Sequence, residues 1–336
     1  MTTTAPAPVA GRRRTVPRLA RMRDLTLVPA IIVLLIVGAL IDPVFLSRNN
    51  LVNVLQQQTE LSLLVLAETL ILIGGRFDLS LESTVGLAPA LGVVLVIPAA
   101  SNGIGTEWSS ALAVPIILLV GLLVGALNGL LILRFGLSAF IVTLGMLITL
   151  RGLQIGITGG QSLFELPPSV TYLGNATWLG LPLSIWLCAG LFAAGIAALG
   201  WFRHGRAVYA IGGNVDAARA AGIRSDRVMW IVFIVGGLLA ALAGLLMTGR
   251  LGSVAAAQGD GMIFKVFAAA VIGGVSMDGG KGTLFGALCG VLVLGLIDNI
   301  LTLAGVSAEW IQAVYGLIIL VALILARVTT GKAQDS

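Results

Sequence analysis

Long apolar runs, broken at charged or Gly/Pro-rich points, fill most of the chain, and they lack the strict alternation of a half-buried strand. A helix needs about 20 mostly apolar residues to cross about 30 Å of hydrocarbon. The breaks divide the sequence into ten such candidates, at 25–41, 52–74, 79–99, 112–133, 138–157, 184–202, 228–249, 263–277, 283–303 and 310–326. The pattern predicts an all-α polytopic membrane protein; the strands of an outer-membrane barrel would alternate instead of running apolar.

Composition agrees. Of 336 residues 58% are hydrophobic and 10% charged, against about 25% charged in soluble domains. A soluble enzyme, a disordered chain and a secreted disulfide scaffold are excluded. Cys188 and Cys289 lie inside apolar runs and read as small helix residues.

The formal charge of +5 could suggest nucleic acid, but six arginines crowd the first 23 positions, ahead of the first apolar run. That placement is a membrane-orientation signal. No small-residue cleavage site follows the 25–41 segment, so it reads as a retained helix rather than a signal peptide. With the amino terminus cytoplasmic and all ten segments crossing, sixteen basic residues fall on the cytoplasmic side and four (Arg48, Arg151, Arg250, Lys265) outside. The expected organisation is a basic, disordered cytoplasmic tail over 1–24, a transmembrane domain over 25–327 and a cytoplasmic tail over 328–336, with both ends inside.

The longest connectors, an external one over 158–183 and a cytoplasmic one over 203–227, are too short for a folded domain. No G-x-x-x-x-G-K-[ST] stretch is present to cradle nucleotide phosphates, so any ATP is bound by another chain. Residues 125–145 and 295–316 read the same order of Gly, Asn, apolar run, Gly, Ser and apolar run, in opposite expected orientations. That is either an inverted repeat or a chance echo of low-complexity membrane sequence.

The sharpest local signal is the stretch from Gly205 to Arg227, whose residues 210–227 read AIGGNVDAARAAGIRSDR. Asn214 can cap a short helix, Asp216 lies in its positive first turn, and Gly222 can end it. So short a helix needs something to pack on; it is either a plug for a partner's groove or a solvated connector. In GGRFDLSLES, Gly74 and Gly75 can end one helix while Asp78 or Ser80 caps the next. Alternatively, a broken helix sets Asp78 beside a translocation path. Glu60, Glu68, Asn128, Arg151, Asp298 and Asn299 stand at expected membrane depth, where such groups turn inward; interhelical hydrogen bonds, or snorkelling for Arg151, are their simpler roles. His204 has no metal-ligand cluster around it, so no metal is expected. No Ser has the His and acid pairing that nucleophilic catalysis needs. Only 6% of residues are aromatic, which disfavours a deep stacking site.

The 205–227 loop is similar to the A-x-G-G-N-x-x-A-[AT]-R-x-x-G-I segment of ribose/xylose-type permeases of bacterial ABC importers. Residues 74–81 (GGRFDLSL), 128–145 (NGLLILRFGLSAFIVTLG) and 273–286 (GGVSMDGGKGTLFG) resemble other motifs of that family, in the same order. Glu82 and Ser138 depart from its pattern, standing where Gly and often Pro are found; Arg76 is a candidate partner for Glu82.

The resemblance implies a membrane-spanning permease subunit in the bacterial inner membrane, for a small polar solute, foremost a monosaccharide, delivered by an extracytoplasmic binding protein. It implies a second copy of this chain and ATPase subunits that hold ATP and Mg, with no cofactor on this chain and no nucleic acid. It assigns ATPase coupling to Gly205, Arg206, Gly212, Gly213, Asn214, Asp216, Arg219, Gly222 and Ile223. Candidates for the pathway are Asp78, Ser80, Glu82, Asn128, Thr143, Arg151, Asp298 and Asn299. The competing expectation is an autonomous ion-coupled carrier, with Glu60, Glu68, Glu82, Arg151 and Asp298 forming a proton relay.

Overall fold

A computed structural model describes residues 27–330; the basic tail over 1–24 and most of the tail over 328–336 lie outside the described residues. The chain runs α1 (Leu27–Ile41), α2 (Arg48–Ile73), α3 (Leu81–Val94), α4 (Ala113–Gly129, prolonged by a π-helical turn at Leu130–Arg134) and α5 (Ala139–Thr158). It continues through α6 (Pro168–Asn175), a two-stranded hairpin of β1 (Thr177–Trp178) and β2 (Leu181–Pro182), α7 (Leu183–Trp201), α8 (Arg203–Gly213) and α9 (Val215–Ala220). The last elements are α10 (Ser225–Leu251), α11 (Met262–Ile272), α12 (Leu284–Leu303) and α13 (Ala308–Thr330).

Each of the ten apolar segments contains one helix, and five helices (α4, α5, α7, α10 and α12) are long and apolar enough to cross a membrane. Two are not. The 14 residues of α3 and the 11 of α11 reach only about 21 and 16 Å at 1.5 Å per residue. The expected connectors 158–183 and 203–227 also carry structure that the hydrophobic pattern missed: α6 with the hairpin in one, α8 in the other.

Helices α3 and α11 start inside the bundle. The Asp78 N–H donates to Glu68 Oε1 at 3.4 Å, a turn and a half before α2 ends, so residues 74–80 turn back alongside α2 before α3 begins. Residues 252–261 do the same from the other end. There Gln258 Nε2 donates to the Gly244 carbonyl (3.3 Å) and to Thr248 Oγ1 (2.9 Å), both on α10.

These paired features define a two-fold arrangement. Helices α2 and α10 are antiparallel: Ile71 lies against Gly236 at one end and Glu60 meets Arg250 at the other. Helix α3 packs on α4, α5 and α10, while α11 packs on α12, α13 and α2. The run α2–α5 thus has the same order and neighbours as α10–α13, and the two similar sequence stretches fall at its α4–α5 and α12–α13 corners.

Small residues allow the closest approaches. A Cβ on Gly121 of α4 would lie 2.4 Å from the Gly237 carbonyl of α10, and one on Gly237 would lie 2.1 Å from the Gly121 carbonyl. Lipid tails are as apolar as Leu, so such backbone-to-backbone packing is what joins helices in a membrane. In contrast α5 leaves Phe140, Ile141 and Ile148 exposed, an apolar outer face suited to hydrocarbon.

Candidate functional site

Helices α8 and α9 close one end of the bundle. Asn214, at φ −165°, ends α8 and caps α9, its Oδ1 accepting from the Ala217 N–H at 2.9 Å, and Asp216 occupies the first turn. Gly222 takes φ +82° and the Ile223 N–H bonds the Ala218 carbonyl at 3.0 Å, so α9 stops where the sequence placed its end. Arg219 pairs with Asp226 at 3.0 Å, both exposed. Gly205 lies tight against the Ala198 carbonyl, and Arg206 Nη1 donates to the Trp201 carbonyl at 3.1 Å, fixing the corner between α7 and α8.

This cap rests on two glycine turns. Gly212 sits so close to the end of α2 that a Cβ on it would lie 1.8 Å from the Ile73 carbonyl and 2.6 Å from the Gly280 nitrogen. That carbonyl already accepts from the Gly280 N–H at 2.8 Å, tying the α2–α3 turn to the α11–α12 turn. Gly75 and Gly279, at φ +74° and +89°, complete the contact. A cavity of about 230 Å³ opens beside it, lined by Gly75, Arg76, Asn214, Arg219 and Asp278 among others. The end of α8, from which α9 follows directly, therefore touches both turns that lead into the bundle.

Above the first turn lies a closed polar cluster. Asp78 Oδ1 accepts from the Ser80 N–H (3.0 Å) and hydroxyl (2.6 Å). Asn128 Nδ2 donates to both Asp78 oxygens (3.2 and 3.1 Å) and to Ser80 Oγ (2.8 Å). Ser80 heads α3 but makes no side-chain cap; Asp78 holds Ser80 instead of the first-turn amides, a correction to the capping expected there.

At the centre the amino ends of α3 and α11 meet. Glu82 accepts from the Ile263 N–H at 3.0 Å and faces Arg151 of α5 at 3.7 Å. Arg151 also reaches Asp260 (3.3 Å) and donates to the Gln258 carbonyl (2.9 Å). Two expectations are corrected: Arg76 lines the cavity beside α9 rather than pairing with Glu82, and Arg151, 16% exposed, turns inward instead of snorkelling. A charge at membrane depth finds its partners within the bundle because lipid offers none.

Towards the end opposite α9 a cleft of about 800 Å³ lies between α2, α10, α11, α12 and α13, lined by Gln57, Glu60, Arg250, Lys265, Asp298 and Tyr315 among others. Glu60 binds Arg250 at 2.8 Å, and Lys265 Nζ lies 4.5 Å over the Tyr315 ring.

Residues 50–323 match the family described as the permease component of branched-chain amino acid transport systems. The chain belongs to this family. It is 34% identical over 305 residues to the ribose import permease protein RbsC of Escherichia coli, covering 88% of this chain and 91% of the relative. It is 36% identical over 308 residues to the autoinducer 2 import system permease protein LsrC of Klebsiella pneumoniae, covering 91% and 87%. These relatives are named as import permeases, not as enzymes. No solved structure matches the chain.

The resemblance to ribose/xylose-type permeases is therefore shown, and the chain is a multi-pass membrane permease. Its candidate residues divide by place. The coupling candidates gather at the α8–α9 cap, although Gly213 faces open space. The pathway candidates do not form one site: Asp78, Ser80 and Asn128 form one cluster, and Glu82 with Arg151 another. Asp298 lines the cleft, Thr143 bonds back to its own helix at the Ala139 carbonyl (2.8 Å), and Asn299 exchanges hydrogen bonds with Asn50 (2.8 and 3.0 Å). Glu60 is tied to Arg250 and Glu68 lies beside Asp78, so the acids form no continuous relay.

Sequence reading missed Gln154 and Gln258 as interior groups, and the exposed Asp260 as a partner of Arg151. Gln154 and Gln258 are fully or almost fully buried, and Gln154 Nε2 donates to the Ala256 carbonyl at 3.2 Å. Residues 252–261 read as an ordinary connector; a polar, Gly-punctuated stretch next to an unusually short apolar run was the available signal for a re-entrant turn.

Proposed function

We propose that this chain is the membrane-spanning subunit of an ABC importer in the bacterial inner membrane, with both termini cytoplasmic. Two copies form the pathway, and ATPase subunits carrying ATP and Mg dock on α8 and α9. A binding protein delivers the solute at the opposite end. The observation that supports this reading is the seating of Gly212, near the end of α8, on the Gly75 and Gly280 turns, through which a pull on the α8–α9 cap would reach α3 and α11 together. ATP-driven closure of the partners then moves the two halves as rigid bodies between inward-open and outward-open states.

The cargo is a small polyhydroxylated solute, foremost a monosaccharide. The cleft presents amide, carboxylate and cationic groups that can donate to and accept from hydroxyls, and the relatives are named for ribose and autoinducer 2. The family description names branched-chain amino acids instead, but an amino acid's fixed charges would have to displace the Glu60–Arg250 pair.

The test is affinity purification of the tagged chain from solubilised native membranes, with mass spectrometry and an ATPase assay on the eluate. Recovery of a nucleotide-binding subunit, with hydrolysis raised by a sugar-loaded binding protein, supports the importer. Recovery of the chain alone, with uptake driven by an ion gradient, overturns it.

A further inference from the structure

Helix α7 runs from one edge of the membrane to the other. Its 19 residues reach about 28 Å at 1.5 Å per residue, close to the about 30 Å of a hydrocarbon layer, and they are apolar enough to cross it. An exposed Trp stands at each end: Trp186 in the first turn and Trp201, 81% exposed, at the last position. Trp favours the edges of a bilayer, where its ring meets hydrocarbon and its N–H meets water or headgroups. Phe202, 59% exposed, follows in an extended conformation (φ −88°, ψ 147°) and turns the chain into α8.

The residues just past that edge are basic. Arg203, His204 and Arg206 lie in the first turn of α8 and are all exposed. Positions 203 and 206, three apart, share one side of the helix, and Arg206 Nη1 donates to the Trp201 carbonyl at 3.1 Å, which holds its guanidinium at the corner. The opposite side of α8, with Gly205, Val208 and Ile211, is buried. A Cβ on Gly205 would lie 2.2 Å from the Ala198 carbonyl, so the angle between α7 and α8 is fixed by close packing. Among the described residues, none of the three basic side chains pairs with an acid. No Asp or Glu occurs between Glu165 and Asp216. The acids at this end of the bundle lie around α9: Asp216 in its first turn, Asp226 on Arg219 at 3.0 Å, and Asp278 in the cavity beside it.

We propose that the α7–α8 corner seats an acidic phospholipid, with Trp201 and Phe202 against its acyl chains and Arg203, His204 and Arg206 around its phosphate. Two observations select this occupant. The surface continues the exposed side of a spanning helix, and its unopposed positive charge complements an anionic headgroup, whose oxygens suit the guanidinium fork. The seat rests on α7 crossing the membrane and not on the cargo or the ATPase. Gly212 and α9 lie at the other end of α8, so the lipid fastens the near end of the element whose far end touches both re-entrant turns.

The experiment uses the full-length chain, with the subunits that copurify with it, in nanodiscs of phosphatidylcholine and phosphatidylglycerol at one fixed composition. Bromine is carried on the acyl chains of one lipid or the other, and the tryptophan quenching present in wild type but absent from Trp201→Phe reports Trp201. Brominated phosphatidylglycerol quenches Trp201 more strongly than brominated phosphatidylcholine at the same mole fraction, and added salt erodes the difference. Arg203→Gln lowers the preference about fivefold, as expected for one basic charge at an anionic surface, and Arg203→Lys keeps most of it. Should Arg203→Gln not fold, the salt dependence of the wild-type chain takes its place. Equal quenching by the two lipids overturns the seat, and so does a preference that ignores both salt and Arg203→Gln. Absence of quenching at Trp201 also overturns it, assigning the corner to a partner protein if stripping the copurified subunits restores quenching and to water if it does not.

Discussion

Replacing Gly212 by Ala adds one carbon at the tightest joint of the molecule. Its Cβ would stand 1.8 Å from the Ile73 carbonyl, whereas real Cβ contacts essentially never fall below 3.0 Å. The obstacle is backbone, so no rotamer change relieves it: either α8 withdraws by more than about 1 Å or the Gly280 N–H to Ile73 bond at 2.8 Å breaks. Overpacking costs about 1 to 3 kcal/mol and a lost hydrogen bond about 1 more, so the expected destabilisation is about 2 to 4 kcal/mol. The neighbouring Gly213 is the control. A Cβ there meets nothing within 4 Å and its backbone is helical, so Gly213→Ala is neutral or stabilising by about 0.5 to 1 kcal/mol. Both variants are purified, unfolded by denaturant, and assayed in vesicles for uptake and for binding-protein-stimulated hydrolysis by the copurified ATPase. Gly212→Ala lowers stability and transport-coupled hydrolysis while Gly213→Ala keeps its stability. Wild-type behaviour of Gly212→Ala, or an equal loss of stability in the two, would refute the idea that α8 transmits force through this contact.

Arg250→Met strips Glu60 (3% exposed side chain) of its 2.8 Å partner. We expect a loss of about 2 to 3 kcal/mol, below the range for a fully buried pair because Arg250 is partly exposed. Adding Glu60→Gln restores part of it; a double variant no more stable in denaturant than the single one would sink the pairing. Asn214→Ala removes the α9 cap and costs about 1 kcal/mol, read as faster hydrogen exchange confined to α9, while Asn214→Asp keeps protection; unchanged exchange in Asn214→Ala would show that the cap is idle. A double-mutant cycle of Asn50→Ala and Asn299→Ala yields a coupling of about 0.6 to 1.7 kcal/mol, and strict additivity would deny the interhelical bond.

The sequence made α9 legible almost to the residue, because capping is local chemistry: Asn214 and Gly222 act on amides and carbonyls within a few positions. It also located every apolar helix, since hydrophobic period and length reflect the solvent rather than the fold. It did not show α8, whose amphipathic run over Arg203–Gly213 is neither apolar enough for a span nor strongly capped. It failed too on the partners of the buried charges. Arg76 is six residues from Glu82, yet Arg151, which lies 69 positions away, meets it.

What the chain alone determined was its solvent, its apolar helices, its lack of a nucleotide-binding motif and the capping chemistry of residues 214–222, each set by composition or by neighbours in sequence. Only the tertiary structure decided that two of the apolar segments are half-helices beginning inside the bundle, that Glu82 joins their amino ends, and that Glu60 pairs with Arg250 while Glu68 lies against Asp78. The reason is physical. Burying a polar group at membrane depth demands a partner, and which partner arrives is fixed by how the two-fold related halves pack, a long-range property that no local spacing encodes.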